Sequence, residues 1–188
     1  MIHVVLTGEV HVGKTTVCRA VVHLAQQRGY CVRGILTTPI FSETGQRLGF
    51  TLFNLATAEQ RELARVDRDY GGPSVGPYHF DLVALQWGQD IIAQAIAAGC
   101  DLLVVDEIGR LELEQNTGFR HVLDLLSTSV APQSPAQPLA GHRLLVVRKP
   151  LLQAFRLRLP DLKSVTFEAT MDNRDTIAPE IVERLFPC

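Results

Sequence analysis

The chain has 188 residues, 46% of them hydrophobic, and a formal net charge of −2. That length and apolar content support a buried core and exclude a disordered chain. A pI of about 6.3 and a mean hydropathy of +0.12 exclude the basic footprint of a general nucleic-acid binder, and no apolar run approaches the roughly 18 residues of a membrane span.

Taken in order, the chain alternates between two periodicities. Ile2 to Thr7 is apolar and β-branched and predicts a buried strand. Gly8-Glu9-Val10-His11-Val12-Gly13-Lys14-Thr15-Thr16 follows and fits G-x-x-x-x-G-K-[ST]. Thr15 to Gly29 predicts a helix with Val17, Val21, Val22 and Leu24 on its apolar face. Tyr30 to Thr38 reads as a strand that Pro39 ends, and a turn at Ser42 to Gln46 leads into a hairpin partner, Arg47 to Leu55. Ala56 to Pro77 is charged and glycine-punctuated and predicts a surface loop, with an extended piece at Tyr78 to Phe80. Helix Asp81 to Gly99 precedes the strand Asp101 to Gly109, and a helix spans Asn116 to Ser127. Three prolines between Ser127 and Gly141 mark a loop. A strand at His142 to Arg148, a short helix at Pro150 to Leu157, a strand at Lys163 to Ala169 and a helix at Arg174 to Phe186 complete the chain. The pattern predicts an α/β architecture, a mainly parallel sheet between helices with a small β-hairpin insertion, in a single domain over 1–188.

Strand, glycine turn and helix are the context that the first motif needs, which disfavours a chance match. Consecutive loop N–H groups and the helix N-terminus form an anion site. Gly8 and Gly13 allow close approach, Lys14 reaches the β- and γ-phosphates, and Thr15 offers a hydroxyl to Mg²⁺. Glu9 is expected to face solvent. His11 is either a solvent-facing side chain or a pH-sensitive phosphate contact.

Asp106 and Glu107 end an apolar run, Leu102-Leu103-Val104-Val105. A carboxylate there holds Mg²⁺ through water, and an acid beside it orients water against the γ-phosphate. The plainer alternatives are a capping carboxylate at 106 and a structural acid at 107. Arg110, Arg148 and Arg174 lie near predicted strand ends and are candidates to meet the developing charge; a solvated surface role is the alternative for each. Glu112 and Glu114 read as a solvated face, and Trp87 and Phe155 as core. Cys18, Cys31, Cys100 and Cys188 have no C-x-x-C spacing and read as reduced thiols of a cytoplasmic protein. No secretory leader is expected.

In these motifs the chain resembles the small stand-alone P-loop nucleoside-triphosphatases of thermophilic bacteria and archaea, which include the human cancer-related nucleoside-triphosphatase. The resemblance is carried by Leu6 to Thr16, Gly34-Ile35-Leu36-Thr37, Gly45 to Phe50, Gly76-Pro77-Tyr78, Val105-Asp106-Glu107-Ile108-Gly109-Arg110-Leu111-Glu112-Leu113 and Asn173-Arg174. It implies a RecA-like P-loop fold, with an extra strand between the two nucleotide motifs. It also implies Mg²⁺-dependent hydrolysis of ATP, GTP, CTP and UTP with low base selectivity. Gly8, Glu9, Val10, His11, Val12, Gly13, Lys14, Thr15 and Thr16 would bind the triphosphate. Leu102, Leu103, Val104, Val105, Asp106, Glu107, Ile108 and Gly109 would form the second nucleotide segment. Lys14 and Glu107 would be catalytic, Thr15 and Asp106 would serve the metal, and Arg110, Arg148, Asn173 and Arg174 are further candidates. The chain departs from the family in having Glu9-Val10-His11 where Pro-Pro-Gly is usual, and Arg110 where Lys is usual.

Two other functions fit the same motifs. A P-loop kinase would use Asp106 or Glu107 to activate an acceptor hydroxyl. A nucleotide switch would depend on a partner, although the N-K-x-D guanine motif is absent and Asn173-Arg174-Asp175 only echoes it. The expected partners are nucleoside triphosphates, without nucleic acid or membrane, for a monomeric protein.

Overall fold

A computed structural model describes residues 1–127 and 140–187. The predicted Pro-rich loop therefore lies almost wholly outside the described residues, as does Cys188. The strands are β1 (His3–Thr7), β2 (Val32–Phe41), β3 (Arg47–Asn54), β4 (Gln60–Arg65), β5 (Ser74–Val75), β6 (Tyr78–Phe80), β7 (Cys100–Ile108), β8 (Ala140–Val147) and β9 (Ser164–Glu168). The helices are α1 (Lys14–Gln27), α2 (Leu82–Ala98), α3 (Arg110–Leu113), α4 (Arg120–Ser127), α5 (Leu152–Arg158) and α6 (Ile177–Leu185).

The strands form a nine-stranded sheet in the order β5-β6-β4-β3-β2-β7-β8-β1-β9. From β2 to β9 every pairing is parallel. From β2 to β5 every pairing is antiparallel. The expected separation of the two motifs is present: β8 lies between β1, which leads into the glycine loop, and β7, which ends in the carboxylates.

Alternation along the central strands divides the core between the two faces. Val4, Leu6, Leu102, Val104, Leu144 and Val146 pack with α1 and α6 through Val17, Val21, Ile181 and Val182. Val5, Leu103, Val105, Leu145 and Val147 pack on the other face with Leu85, Ile92, Leu123 and Phe155. Each strand is apolar on both faces because both are covered, which is why these segments read as unbroken apolar runs. Phe155 is core as expected; Trp87 packs partly against the core and carries the Arg61 guanidinium 4.7 Å from its ring centre.

The antiparallel part is larger than the predicted hairpin. Ala56 to Pro77 is not one surface loop: β4 and β5 form within it and β6 closes it. The charges that read as a solvated loop satisfy one another. Arg65, only 8% exposed, donates through Nε and Nη2 to Asp67 at 2.8 and 2.7 Å and through Nη1 to Glu62 at 3.0 Å. Leu63 and Ala64 beside it are buried. Nor does Pro39 end β2, which runs on to Phe41. The pairing of β2 with β7 stops at Ile35, so at Pro39 only β3 is alongside, and a residue without an N–H is tolerated at such a one-sided position. The helix placed over Asn116 to Ser127 begins at Arg120, because Asn116 and Gly118 take φ of 54° and 60°.

Close packing of β2 on β7 requires a glycine. A Cβ on Gly34, where φ is 117°, would stand 2.0 Å from the Val104 carbonyl oxygen.

His3 shows what burial at the far end of β1 does to a titratable group. It is 9% exposed, and its Nδ1 has no hydrogen-bond partner among the described residues. Desolvation first, then Arg143, the N-terminus and His142, push its pKa from 6.5 down to about 4. The folded protein therefore binds this proton more weakly than the unfolded chain, and stability falls as pH drops from 6.5 towards 4. His3→Phe is expected to remove an acid-dependent loss of about 3 kcal/mol, read as a smaller change in urea midpoint between pH 7 and pH 4.5 than in the parent.

Candidate functional site

The site forms where the C-terminal ends of β1, β7 and β2 meet. Gly8 takes φ of 151° and Gly13, the residue before α1, takes φ of 98°. A Cβ on Gly8 would come within 2.6 Å of the Ala169 carbonyl oxygen. The loop is fastened from outside by Lys149 N–H, which donates to Gly8 O at 3.3 Å. Lys14 is 7% exposed, and its ammonium donates to Gly8 O at 3.0 Å and Glu9 O at 2.7 Å. Burial lowers its pKa, while Glu107, Asp106 and Glu9 act in the opposite direction.

Glu9 faces outward as expected, its side chain 67% exposed and 3.9 Å from Lys149. His11 is exposed with φ of 67°, a left-handed conformation that is uncommon away from glycine. Its pKa is lowered, by desolvation first and then by Arg47, Arg148 and Lys14. Val10 is exposed, and Val12 is buried against α1.

Asp106 is fully buried. Desolvation, then the charge of Glu107, raise its pKa to about 7; hydrogen bonds from Thr15 and Thr37 and the charge of Lys14 act the other way. The Thr37 amide lies 3.3 Å from Oδ2, whereas Oδ1 has no hydrogen-bond partner among the described residues. The buried Thr7 hydroxyl is likewise unpartnered. Glu107, one residue on, reaches the surface of the site and pairs with Arg148.

The other candidates are not equivalent. Leu102, Leu103, Val104, Val105 and Ile108 are core residues, so β7 brings only Asp106 and Glu107 to the site. Arg174 lies over the start of α1: a Cβ on Gly13 would meet its Cδ at 3.2 Å. Asn173 holds the turn that presents it. Its side chain donates to Glu168 O at 3.0 Å and accepts from the Thr170 amide at 2.8 Å. Arg110 is 57% exposed and 3.6 Å from Glu114.

Two contributors lay outside the sequence reading. Thr37 reaches Asp106 only because β2 pairs with β7. Arg47, at the start of β3, stands near His11 with its guanidinium 5.6 Å from the Phe50 ring centre and 5.8 Å from that of Phe41. The only advance signal for either was its place in the family motifs, in Gly34 to Thr37 and Gly45 to Phe50. Glu112 corrects an expectation. It is 5% exposed, not solvated, and its two oxygens accept from the amides of Gly109 at 2.7 Å and Phe119 at 2.8 Å.

The family model described as NTPase matches residues 3–182. The chain belongs to the NTPase family. It is 33% identical over 183 residues to a nucleoside-triphosphatase THEP1 of Methanopyrus kandleri, covering 97% of this chain and 94% of the relative. It is 31% identical to the mouse cancer-related nucleoside-triphosphatase homolog, covering 96% and 94%. The solution structure of a human cancer-related nucleoside triphosphatase superposes with a TM-score of 0.69 at 26% identity, covering 99% of this chain and 98% of that one. The nine-stranded sheet of this NTPase is thus the α/β fold of its family.

Glu112 fixes the chain just after Glu107. Glu112→Ala strands two buried amides and is expected to lower stability by about 2–4 kcal/mol, measured by urea unfolding, with Glu112→Gln losing less because it keeps one acceptor.

Proposed function

We propose that the chain hydrolyses nucleoside triphosphates to the diphosphate and phosphate at this loop, with Mg²⁺ and with low base selectivity. The observation that carries the reading is the placement of Asp106 and Glu107 against Lys14, one carboxylate buried and the other open to the site.

The residues fit the cation. Mg²⁺ favours oxygen donors and keeps most of its waters, and Asp106 Oδ1 and the Thr15 hydroxyl are oxygen donors beside the phosphate loop. Asp106 and Thr15 would hold it, and when bound it supplies neutralisation of charge on the β- and γ-phosphates. Among the described residues no group of three or more His, Cys, Asp or Glu side chains forms a metal cage; an ion held largely by substrate phosphates needs none.

The protein's own groups do the rest. The N–H groups from Gly8 to Thr16 surround the phosphates, helped by the partial positive charge at the start of α1. Lys14 exchanges the carbonyls of Gly8 and Glu9 for phosphate oxygens. Arg174, above Gly13, adds a second cation, and Arg47 faces the loop from the side of His11. Glu107 accepts a hydrogen bond from the attacking water and aims it in line with the γ-phosphate. Arg148 holds Glu107 in the free protein; an arriving triphosphate draws that guanidinium towards itself and releases the acid. The charged groups gather at the triphosphate end, which favours low selectivity.

The free thiols of Cys18, Cys31 and Cys100 favour a cytoplasmic setting. Among the described residues no helix is long and apolar enough to cross a membrane. A monomer that acts without nucleic acid is the simplest reading of a near-neutral chain whose site draws on its own residues.

Phosphate release from ATP, GTP, CTP and UTP, with Mg²⁺ and no acceptor, tests the reaction. Release from all four is expected at comparable rates. Glu107→Gln should bind nucleotide as the parent does and turn over about 10²–10⁴-fold more slowly. Lys14→Ala should lose triphosphate binding or turnover. Full turnover by Glu107→Gln would remove Glu107 from the reaction.

A further inference from the structure

Every arginine that the sequence offers to meet the developing charge already has a carboxylate. Arg110 has Glu114, Arg148 has Glu107, and Arg174 has Asp175 at 3.7 Å. Arg47 is different. Among the described residues it pairs with no carboxylate, and its Nε is buried without a hydrogen-bond partner. Its guanidinium stands instead over two rings, 5.8 Å from the centre of Phe41 and 5.6 Å from that of Phe50. A ring attracts a cation within about 6 Å, so these contacts hold the group in place without a counter-ion. A cation partly withdrawn from water with no anion beside it is costly, and the cost is relieved when an anion arrives.

The backbone sets where this cation stands. β2 pairs with β7 only as far as Ile35, yet it continues to Phe41 with β3 as its partner. Leu36 to Phe41, about 20 Å of strand, thus forms with β3 an arm at the phosphate end of the sheet. At the tip Phe41 pairs with Arg47, and the register shifts between Ile40 and Phe41. A bulge bends its strand and re-aims the side chains beside it. The turn is fixed as well: the Ser42 amide donates to Gln46 O at 2.8 Å, and Ser42 Oγ accepts from the Gln46 amide at 3.0 Å. Arg47 is thereby brought to the phosphate loop, where its charge acts on His11 ahead of those of Arg148 and Lys14. Lys14 and Arg148 flank the proposed position of the γ-phosphate, and Arg47 closes the group from the side of β3.

We propose that Arg47 is the catalytic arginine of the hydrolysis, carried to the triphosphate on the β2–β3 arm of the same chain. There it meets the negative charge on the γ-phosphoryl oxygens and on the β,γ-bridging oxygen as the diphosphate leaves. The inference rests on the proposed hydrolysis at this loop and names the arginine that completes it. Phosphoryl transfer depends on positioning and on neutralising charge, and a cation supplied in this way is worth about 10³–10⁵ in rate. Phe41 and Phe50 are positioning residues, which touch no reacting atom and act by holding the guanidinium.

Two measurements on the full chain test this, each with the parent, Arg47→Ala and Arg47→Lys. One is steady-state phosphate release from ATP with Mg²⁺. The other is trapping of ADP by Mg²⁺ and aluminium fluoride, which stands in for the phosphoryl group in transfer. Arg47→Ala should lower kcat about 10³-fold and leave KM and ADP binding as in the parent, the split expected of an interaction made only in the transition state. The parent should trap ADP with aluminium fluoride, and Arg47→Ala should not. Arg47→Lys keeps the charge without the planar fork and should recover only a small part of kcat; it carries the same test if Arg47→Ala does not fold. Phe50→Leu should lower kcat by less, with ADP binding unchanged. Phosphate release by Arg47→Ala or Arg47→Lys as fast as the parent's, or ADP trapped by Arg47→Ala as in the parent, overturns the assignment and leaves hydrolysis standing. Equal loss of ADP binding and turnover also overturns it, because Arg47 then serves binding alone. Absence of phosphate release by the parent overturns the hydrolytic reading and the catalytic arginine with it.

Discussion

A carboxylate removed from water at the end of β7 governs this structure. Burying an ionised group without compensation costs several kcal/mol, and proteins respond by neutralising it or by surrounding it with donors and cations. Asp106 shows both responses. Its pKa is raised to about 7 by desolvation and by Glu107, and Thr15, Thr37 and Lys14 are drawn in around it. The strand that carries it is held between β2 and β8, so the carboxylate cannot move out to solvent. Neighbouring elements must come to Asp106, and two do: the start of α1, with Lys14 and Thr15, and β2, with Thr37.

Sheet order explains how one carboxylate organises so much. With β8 between β1 and β7, the loop after β1 and the acids at the end of β7 are one strand apart, close enough for the charges of Asp106 and Glu107 to act on Lys14. The intervening strand is not passive. Arg148 follows directly after β8 and reaches Glu107, while Lys149 fastens the loop through its amide and pairs at 2.7 Å with Glu168 at the end of β9. The end of β8 thus connects both motifs, and a shift of this turn would disturb the loop and the acid together.

The sequence disclosed the parts of the site that are local. The glycine loop, α1 and the end of β7 are each contiguous, and their chemistry follows from spacing. What pairing alone brings in was hidden. Thr37 is 69 residues from Asp106 and has no feature of its own; Arg47 is one arginine among many until β3 carries it towards His11. Glu112 was misread because an acid between two leucines looks like the polar side of an amphipathic turn, and only its two amide partners mark it as a buried cap. Gln60 to Arg65 was misread for the same reason. Its charges looked solvated, yet Arg65 is shielded by a fork of bonds to Asp67 and by Glu62. In both places charge was taken as exposure, although a fully hydrogen-bonded charge can be buried.

The pairing of Glu107 with Arg148 bears on the order of events in the proposed reaction. An acid bound to a guanidinium is not free to accept a hydrogen bond from water at the same oxygen. Arg148 and the other cations of the site, Lys14, Arg47 and Arg174, together carry more positive charge than Asp106 and Glu107 balance. The excess is what a triphosphate brings negative charge to meet. As phosphate competes for Arg148 in the proposed reaction, the hold on Glu107 loosens and its carboxylate becomes free to orient the attacking water only once the substrate is in place. In the proposed reaction electrostatics alone thereby couples occupancy of the loop to release of the acid.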